Sequence, residues 1–272
     1  MNRLLATLLL ASCLPAPAES RAAGEHPAAT PEEVGMSSAK LKLVSEKVEE
    51  LLGKKRLSGA SVRVTRKGKL VYNKNFGLRD LENKKRIEAD TIFRIYSMSK
   101  SITSAAAMML ADEGKLVLDD PIAKHLPSFK EVKVWKHGRT AAPTRTPTVR
   151  DYTRFLQMIA NGGELQGVRL LKKETVAAMT RNQLSEEAMP IAFGPLKRAG
   201  TGFGLGFCVK VANTDCNRAG RIGEYGWGGI ASTHYWVSPH DHLVVVTMEQ
   251  TLPYDFLLEN ELKPLIYAAI EE

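Results

Sequence analysis

The sequence predicts an α+β fold: one antiparallel sheet flanked by an N-terminal and a C-terminal helix. Strand-like runs occur near both ends of the chain, whereas the middle has helical periodicity. Because strands and helices are grouped rather than alternated, a parallel βαβ sheet is disfavoured. The 272 residues, of which 44% are apolar, are sufficient for a sizeable core.

The first elements of the folded body are a helix and a hairpin. Ser37 can cap the helix and Gly53 can end it. Its apolar face consists of Leu41, Val44, Val48 and Leu51. The stretch ASVRVTRKGKLVYNKNFG then alternates in polarity around Lys67-Gly68, which predicts a β-hairpin.

Three helices are predicted in the middle of the chain. The first follows Ser97 and stops at Gly114, with Ile102, Ala106, Met109 and Leu110 at helical spacing. A polar segment from Val132 to Pro147 is the best linker candidate. The second helix begins at the capping box Thr148-Val149-Arg150-Asp151, and its apolar face consists of Tyr152, Phe155, Leu156 and Ile159. The third covers Lys173 to Thr180.

The last third of the chain returns to strands. Runs separated by glycine-marked turns are GFGLGFCVKV, GEYGWGG, STHYWVSP and HLVVVTMEQ. A closing helix is predicted from Tyr254 to Ile270, because apolar residues from Leu257 to Ala269 share one face. Strands from both ends of the chain can therefore join one antiparallel sheet.

The N-terminus predicts export. Residues 1–18 combine Arg3, an apolar run and the small-residue pattern Ala16-Pro17-Ala18, as in a signal peptide. Cys13 offers an alternative, a lipid anchor of the bacterial lipoprotein type. We expect residues 19–30 to be a flexible lead-in and residues 31–272 to form the domain. The expected location is periplasmic or secreted, with a lipoprotein as the minor alternative.

Several other classes of function are disfavoured. The net charge is +8, but Lys and Arg are scattered among Asp and Glu, so a nucleic-acid partner is not expected. No window after the signal is long enough for a transmembrane helix. His240-Asp241-His242 is interpreted as a turn rather than a metal site, and GFGLGF lacks the context of a dinucleotide site, so no cofactor is expected. Pairing of Cys208 with Cys216 stays open.

Ser97 and Lys100 give the strongest chemical signal. Residues three apart on a helix share a face, so the amine can reach the hydroxyl. A lysine partly desolvated among apolar side chains can lose its charge and activate a serine nucleophile. The positive end of a helix also stabilises a developing oxyanion. By itself, however, the Ser-x-x-Lys pattern also fits a solvent-facing helix start.

The surrounding sequence resembles a known superfamily. The stretch TIFRIYSMSKSITSAAAMMLADEGKLVLDDPIAKHLPSF is similar to the serine β-lactamase and penicillin-binding-protein-like superfamily, especially its class C-like carboxylesterases and β-lactamase-related hydrolases. DYTRFLQMIANGGELQGVRLLKKETVAAMTRNQL and the strand region from GFGLGFCVKV to VVVTMEQ follow in the family's order. The resemblance implies a β-lactamase/transpeptidase-like antiparallel sheet.

The resemblance also implies roles for individual residues. Ser97 would be the acylated nucleophile and Lys100 its general base, with the backbone N–H groups of Ser97 and Ile230 as the oxyanion hole. Trp227-Gly228-Gly229 stands where the family has Lys-Thr-Gly and would contact substrate. Trp227 would form a pocket wall or, equally, a packed core aromatic. Glycines would let an acyl group approach the strand closely.

One family motif is missing. No tyrosine is followed two residues later by Asn or Ser, so the Tyr-x-Asn motif that completes the proton relay is absent. The tyrosines are Tyr72, Tyr96, Tyr152, Tyr225, Tyr235, Tyr254 and Tyr267. Relatives carry a segment on the order of a hundred residues where this chain continues at Asp151, a length typical of a small domain. We therefore expect a much reduced helical lobe that leaves apolar surface exposed.

These observations lead to three hypotheses. The first is an exported serine hydrolase that cleaves an ester through an acyl-serine. The second is a catalytically impaired remnant or binding protein of the same fold, because loss of one relay member costs orders of magnitude in rate. The third is a lactamase or peptidase, which Trp-Gly-Gly disfavours. Tyr96 and Tyr225 are the candidates to replace the missing tyrosine.

Overall fold

A computed structural model describes residues 26–130, 148–193, 196–214 and 219–271. Within these ranges the helices are α1 (Ser38–Gly53), α2 (Ser99–Asp112), α3 (Ile122–His125), α4 (Val149–Ala160), α5 (Lys173–Met179) and α6 (Leu257–Ala268). The strands are β1 (Gly59–Arg66), β2 (Lys69–Asp80), β3 (Lys85–Arg86), β4 (Glu164–Leu165), β5 (Val168–Arg169), β6 (Ala192–Phe193), β7 (Leu196–Lys197), β8 (Thr201–Phe203), β9 (Cys208–Lys210), β10 (Tyr225–Gly228), β11 (His234–Ser238) and β12 (Leu243–Met248).

One antiparallel sheet organises the molecule and confirms the predicted fold class. Its strand order is β3-β2-β1-β12-β11-β10-β9-β8. The first and last parts of the chain meet at its centre, where Ser61 to Arg66 of β1 pair with Met248 to Leu243 of β12. This pairing is the one expected from strand-like runs at both ends of the sequence.

The two terminal helices cover one face of the sheet. Ser37 caps α1 by accepting a hydrogen bond from the amide of Lys40, and the predicted residues Leu41, Val44, Val48 and Leu51 are all buried. On α6, Leu258, Leu262 and Ile266 are buried against the same core. The amide of Ser37 donates to the carbonyl of Ala269 at 2.8 Å, so the two helices pack side by side.

The opposite face is covered by α2, α4 and α5. The capping box at the start of α4 forms as predicted, with hydrogen bonds in both directions between Thr148 and Asp151. Tyr152, Leu156 and Ile159 are buried in the core on this side, and Phe155 packs against it. The predicted helix at Lys173 is α5, and the hairpin turns at Lys67 and Gly68, both with positive φ as a tight hairpin requires.

The predicted helix after Ser97 is α2, but the residues at helical spacing, Ile102, Ala106, Met109 and Leu110, do not form its buried face. The buried residues are Ser101, Ala105 and Met108. Ile102 and Met109 lie at the edge of the core, whereas Ala106 and Leu110 are exposed. Ser101 is buried because its hydroxyl bonds Tyr235 and the carbonyl of Gly206. The apolar outer side of α2 is thus uncovered by the described residues, as expected of a reduced lobe.

Several predictions fall partly or wholly outside the described residues. These are the signal peptide at 1–18, Cys13, the linker at 132–147 and Cys216. At the end of the predicted lead-in, the amide of Ala29 donates to Leu70 of β2 at 3.1 Å. Cys208 is buried on β9 as a free thiol. In the part of the chain that the structure describes, no helix is long and apolar enough to cross a membrane.

Candidate active site

Ser97 lies in a single 3-10 turn, Tyr96–Met98, that leads directly into α2. Tyr96, immediately before it, has a φ of +43°, a backbone region that non-glycine residues enter at a cost of about 1–3 kcal/mol. Such strain is typical of functional turns. The turn sets Ser97 at the positive end of the α2 dipole, where a developing negative charge is stabilised.

The structure brings the predicted pair together. Nζ of Lys100 lies 2.9 Å from Oγ of Ser97, within hydrogen-bond distance. The helical start explains this proximity, because residues three apart lie one turn above each other. Proton exchange between the amine and the hydroxyl is therefore geometrically direct.

The environment of Lys100 differs from the prediction. The sequence predicts an amine partly desolvated among apolar side chains, but the Lys100 side chain is exposed. The described residues do not cover this end of α2. The apolar surroundings expected for this amine are thus not found among the described residues.

The end of β10 lies against the turn that carries Ser97. A Cβ atom added to Gly229 would be 2.2 Å from the backbone oxygen of Ile95 and 2.6 Å from Oγ1 of Thr233. Only glycine allows this approach, which brings the Trp227-Gly228-Gly229 segment beside the residues preceding Ser97. At Gly228, the added atom would meet the Tyr254 hydroxyl at 2.7 Å and the His234 ring. The side-chain positions of both glycines are therefore filled by protein atoms.

The turn after Gly229 is fixed by hydrogen bonds. The amide of Ser232, which has a φ of +65°, donates to the carbonyl of Gly229 at 2.9 Å. The Ser232 hydroxyl donates to the carbonyl of Thr251 and accepts from the amide of Asp255, each at 3.0 Å. Ile230, at the tip of this turn, is therefore held by a braced backbone although its side chain is exposed.

The two amides expected to form the oxyanion hole are uncommitted. Among the described residues, no backbone carbonyl accepts a hydrogen bond from the N–H of Ser97 or of Ile230. Free, fixed N–H groups are what stabilisation of an oxyanion requires. Trp227 is half-buried, packs against the core around α2, and its ring lies edge-on to Phe203 with centroids 5.0 Å apart. Trp227 is thus a packed aromatic, which is one of the two alternatives expected for it.

No tyrosine hydroxyl among the described residues is hydrogen-bonded to Ser97 or Lys100. Tyr225, one of the two candidate substitutes, is buried and packs edge-on against Phe207 in the core. Burial raises the pKa of its phenol, so it is not suited to proton exchange. Tyr96, the other candidate, is half-buried next to the nucleophile.

Sequence reasoning missed a buried polar cluster behind Ser97. The Tyr152 hydroxyl donates to the carbonyl of Met98 at 2.9 Å, and Ser101 and Tyr235 share a hydrogen bond of 2.5 Å. Burial raises the pKa of both tyrosines, which remain neutral donors. The apolar pattern of α4 predicted that Tyr152 is buried but could not identify the partner of its hydroxyl. The cluster fixes the start of α2 from behind.

A second supporting contact comes from Gln250. Its side-chain amide accepts from the backbone N–H of Arg94 at 3.1 Å and donates to the carbonyl of Arg94 at 3.3 Å. The end of β12 is thereby tied to the strand-like segment three residues before Ser97. A glutamine beside a strand end gave no sequence signal for this role.

Known proteins share the sequence and the fold. Residues 44–144 match the family model described as Beta-lactamase. "Uncharacterized protein MT1414" of Mycobacterium tuberculosis is 37% identical over 116 residues, which are 41% of this chain and 29% of that protein. The alignment thus spans less than a third of that relative.

Solved structures share the architecture at low sequence identity. EstCE1, described as a hydrolase with promiscuous acyltransferase activity, has a TM-score of 0.71 and 14% identity, with 84% of this chain and 98% of that chain covered. A penicillin-binding-protein homologue from Caulobacter crescentus has a TM-score of 0.69 and 13% identity, with 86% and 99% covered. The segment that contains Ser97 thus resembles the Beta-lactamase family, and the described part of the chain has the fold of these solved structures.

Proposed function

We propose that this protein is an exported serine hydrolase that cleaves an ester through an acyl-serine intermediate. Ser97 attacks the ester carbonyl, Lys100 takes the hydroxyl proton, and the amides of Ser97 and Ile230 bind the oxyanion. The ester C–O bond then breaks, the alcohol leaves with a proton from solvent, and water hydrolyses the acyl-enzyme to release the acid. The distance of 2.9 Å between Lys100 Nζ and Ser97 Oγ is the observation that carries the proposal.

An ester is the favoured substrate because the third motif lacks a cation. In the family, Lys-Thr-Gly offers a lysine to a substrate carboxylate, whereas Trp227 offers an aromatic surface at that position. An apolar acyl or alcohol group would fit such a surface better than the carboxylate of a β-lactam. The description of EstCE1 as a hydrolase with acyltransferase activity agrees with acyl chemistry on this fold.

The alternative is a catalytically impaired remnant or binding protein. Two observations favour it: Lys100 is exposed, and no tyrosine hydroxyl among the described residues contacts the pair. Binding would then use the amides of Ser97 and Ile230 without turnover. Activity-based labelling separates the two functions.

The test is intact-mass analysis after reaction with a fluorophosphonate. The hydrolase proposal predicts one adduct per chain, located on Ser97 by peptide mapping. The adduct is absent in Ser97→Ala and strongly reduced in Lys100→Ala. Ser99→Ala is the matched control, because it removes a neighbouring hydroxyl two residues along the chain and should label normally.

The opposite result is also informative. A folded wild-type protein that forms no adduct, or one whose adduct persists in Ser97→Ala, contradicts the hydrolase proposal and favours the binding protein. Folding of each variant is checked by circular dichroism. Fractionation of the producing cells tests export. Protein retained in the cytoplasm with its first 18 residues intact would contradict the proposal that the protein is exported.

A further inference from the structure

A short segment between β12 and α6 holds the turn that carries Ile230. It consists of residues 249–255, and we call it the bracing segment. The amide of Thr251 donates to the carbonyl of Ala231 at 3.1 Å, and the carbonyl of Thr251 accepts from the Ser232 hydroxyl at 3.0 Å. Thr251 is therefore bonded to both residues that follow Ile230.

Both ends of the bracing segment take part in these contacts. At its start, the Thr251 hydroxyl donates to Oε2 of Glu249 at 3.1 Å. At its end, the amide of Asp255 donates to the Ser232 hydroxyl at 3.0 Å. A chain of hydrogen bonds thus leads from the Glu249 carboxyl, through Thr251, to the backbone beside the Ile230 amide.

The Glu249 carboxyl lies in an environment that favours its neutral form. Its residue is 1% exposed, and Oε1 has no hydrogen-bond partner among the described residues. In the same part of the chain, no cation lies within ion-pair distance of it. The ionisable group that acts on it is Asp255, which itself lies 3.7 Å from Arg56. Burial, with a smaller effect of Asp255, raises the pKa of Glu249 to about 8, so this carboxyl is neutral at pH 7.

Ionisation of Glu249 should disturb the turn. A buried carboxylate without a cation is costly, and water that solvates it must displace Glu249 or its partner Thr251. We propose that Glu249 and Thr251 are positioning residues for the Ile230 amide, and that the protonated carboxyl keeps this amide in place. The inference rests on the proposed function, in which the Ile230 amide binds the oxyanion.

The pH dependence of fluorophosphonate labelling tests the proposal. The measured quantity is the wild-type labelling rate divided by that of Glu249→Gln, so that the ionisation of Lys100 cancels. From pH 7 to pH 9 the carboxyl changes from mostly protonated to mostly ionised, so this ratio should fall about tenfold. Glu46→Gln is the control, because it removes an exposed carboxyl of α1, and its ratio to the wild type should be the same at both pH values.

Substitutions of Thr251 test the connection between Glu249 and the turn. Thr251→Val removes the hydroxyl and keeps the branched shape, so adding Glu249→Gln to it should give a ratio that falls much less with pH. Thr251→Ser keeps the hydroxyl and should retain the tenfold fall. An equal fall in both Thr251 variants would contradict the role of this hydroxyl.

Methyl NMR gives a readout that does not require activity. The ¹³C-labelled methyl signals of Ile230 and Ala231 should shift with a midpoint near pH 8 in the wild type but not in Glu249→Gln, whereas Ile159 of α4 should not show this midpoint. A wild type that is not labelled contradicts the hydrolase proposal alone, because the methyl signals still report whether Glu249 sets the turn.

The positioning role is overturned if these methyl signals titrate alike in the wild type and Glu249→Gln, or if the labelling ratio is equal at pH 7 and pH 9. All rates are taken where circular dichroism shows folded protein. Should Glu249→Gln not fold, the wild-type titration of Ile230 and its loss in Thr251→Val decide.

Discussion

The close contact between Gly229 and Ile95 gives the sharpest prediction. In Gly229→Ala the new Cβ would lie 2.2 Å from the Ile95 oxygen, whereas ordinary contacts begin near 3.4 Å. The two segments must therefore separate by about 1.2 Å, and neither atom belongs to a mobile side-chain end. Overpacking of this kind costs about 1–3 kcal/mol of stability.

The same displacement should also slow the reaction at Ser97. Ser97 follows Ile95 by two residues, and the Ile230 amide follows Gly229 directly. A misplacement of about 1 Å can lower a rate about 100-fold. The second-order rate of fluorophosphonate labelling should fall by that order in Gly229→Ala, measured at a temperature where the variant is folded.

A matched substitution controls for the added methyl group. Gly53 is the last residue of α1, and a Cβ there has no atom within 4 Å, so Gly53→Ala should label at the wild-type rate. A folded Gly229→Ala that labels Ser97 as fast as Gly53→Ala would refute the inferred coupling between the end of β10 and the nucleophile.

Two buried acids give predictions for stability. Burial, with a smaller effect of Asp255, raises the pKa of Glu249 from 4.5 to about 8, so the unfolded chain releases this proton first and wild-type stability falls between pH 5 and 8. Between pH 5 and 8, the free energy of unfolding measured with urea should fall by on the order of 3 kcal/mol less in Glu249→Gln than in the wild type. An unchanged pH profile in this variant would contradict the raised pKa of Glu249. Lys263→Met leaves Glu224 buried without its ammonium partner and should cost about 3–5 kcal/mol. Lys54→Met, at a 65% exposed side chain paired with Glu50, is the control and should change stability little.

The fold was predictable where one local pattern decides the structure. The apolar face of α1, the capping box of α4 and the Lys67-Gly68 turn each satisfy a rule that involves only neighbours in sequence. The buried face of α2 was not predictable, because a partner distant in sequence determines it. Ser101 is buried through bonds to Tyr235 and Gly206, and no pattern within the helix indicates them.

The candidate site was likewise predictable only where neighbours in sequence determine the geometry. The spacing of Ser97 and Lys100 predicted their contact, since one helical turn brings them together. The contact of Gly229 with Ile95 depends on how the sheet packs beside the turn, and the Gln250 amide reaches Arg94 across 156 positions of sequence. The exposure of Lys100 is likewise set by which segments cover α2, which its own sequence does not encode.

The proton path is the step on which the proposed activity depends most. In an acyl-transfer reaction, the leaving alcohol must gain a proton, and the family motif that supplies it is absent from this chain. In the proposed mechanism, Ser97 would still attack the ester, and the amides of Ser97 and Ile230 would still bind the oxyanion. Esters whose leaving group departs as a stable anion should therefore be cleaved much faster than alkyl esters.

Comparing p-nitrophenyl acetate with ethyl acetate tests this reasoning, each rate being taken relative to its spontaneous hydrolysis. Without a proton donor, the protein should accelerate hydrolysis of p-nitrophenyl acetate at least about 100-fold more than hydrolysis of ethyl acetate. The reason is that general acid catalysis contributes a factor of about 10² to 10⁴. Equal acceleration of both esters would show that a proton donor acts at Ser97. Tyr96→Phe would then test whether the phenol of Tyr96 is that donor. A p-nitrophenyl activity that survives Ser97→Ala would instead remove the nucleophile from the mechanism.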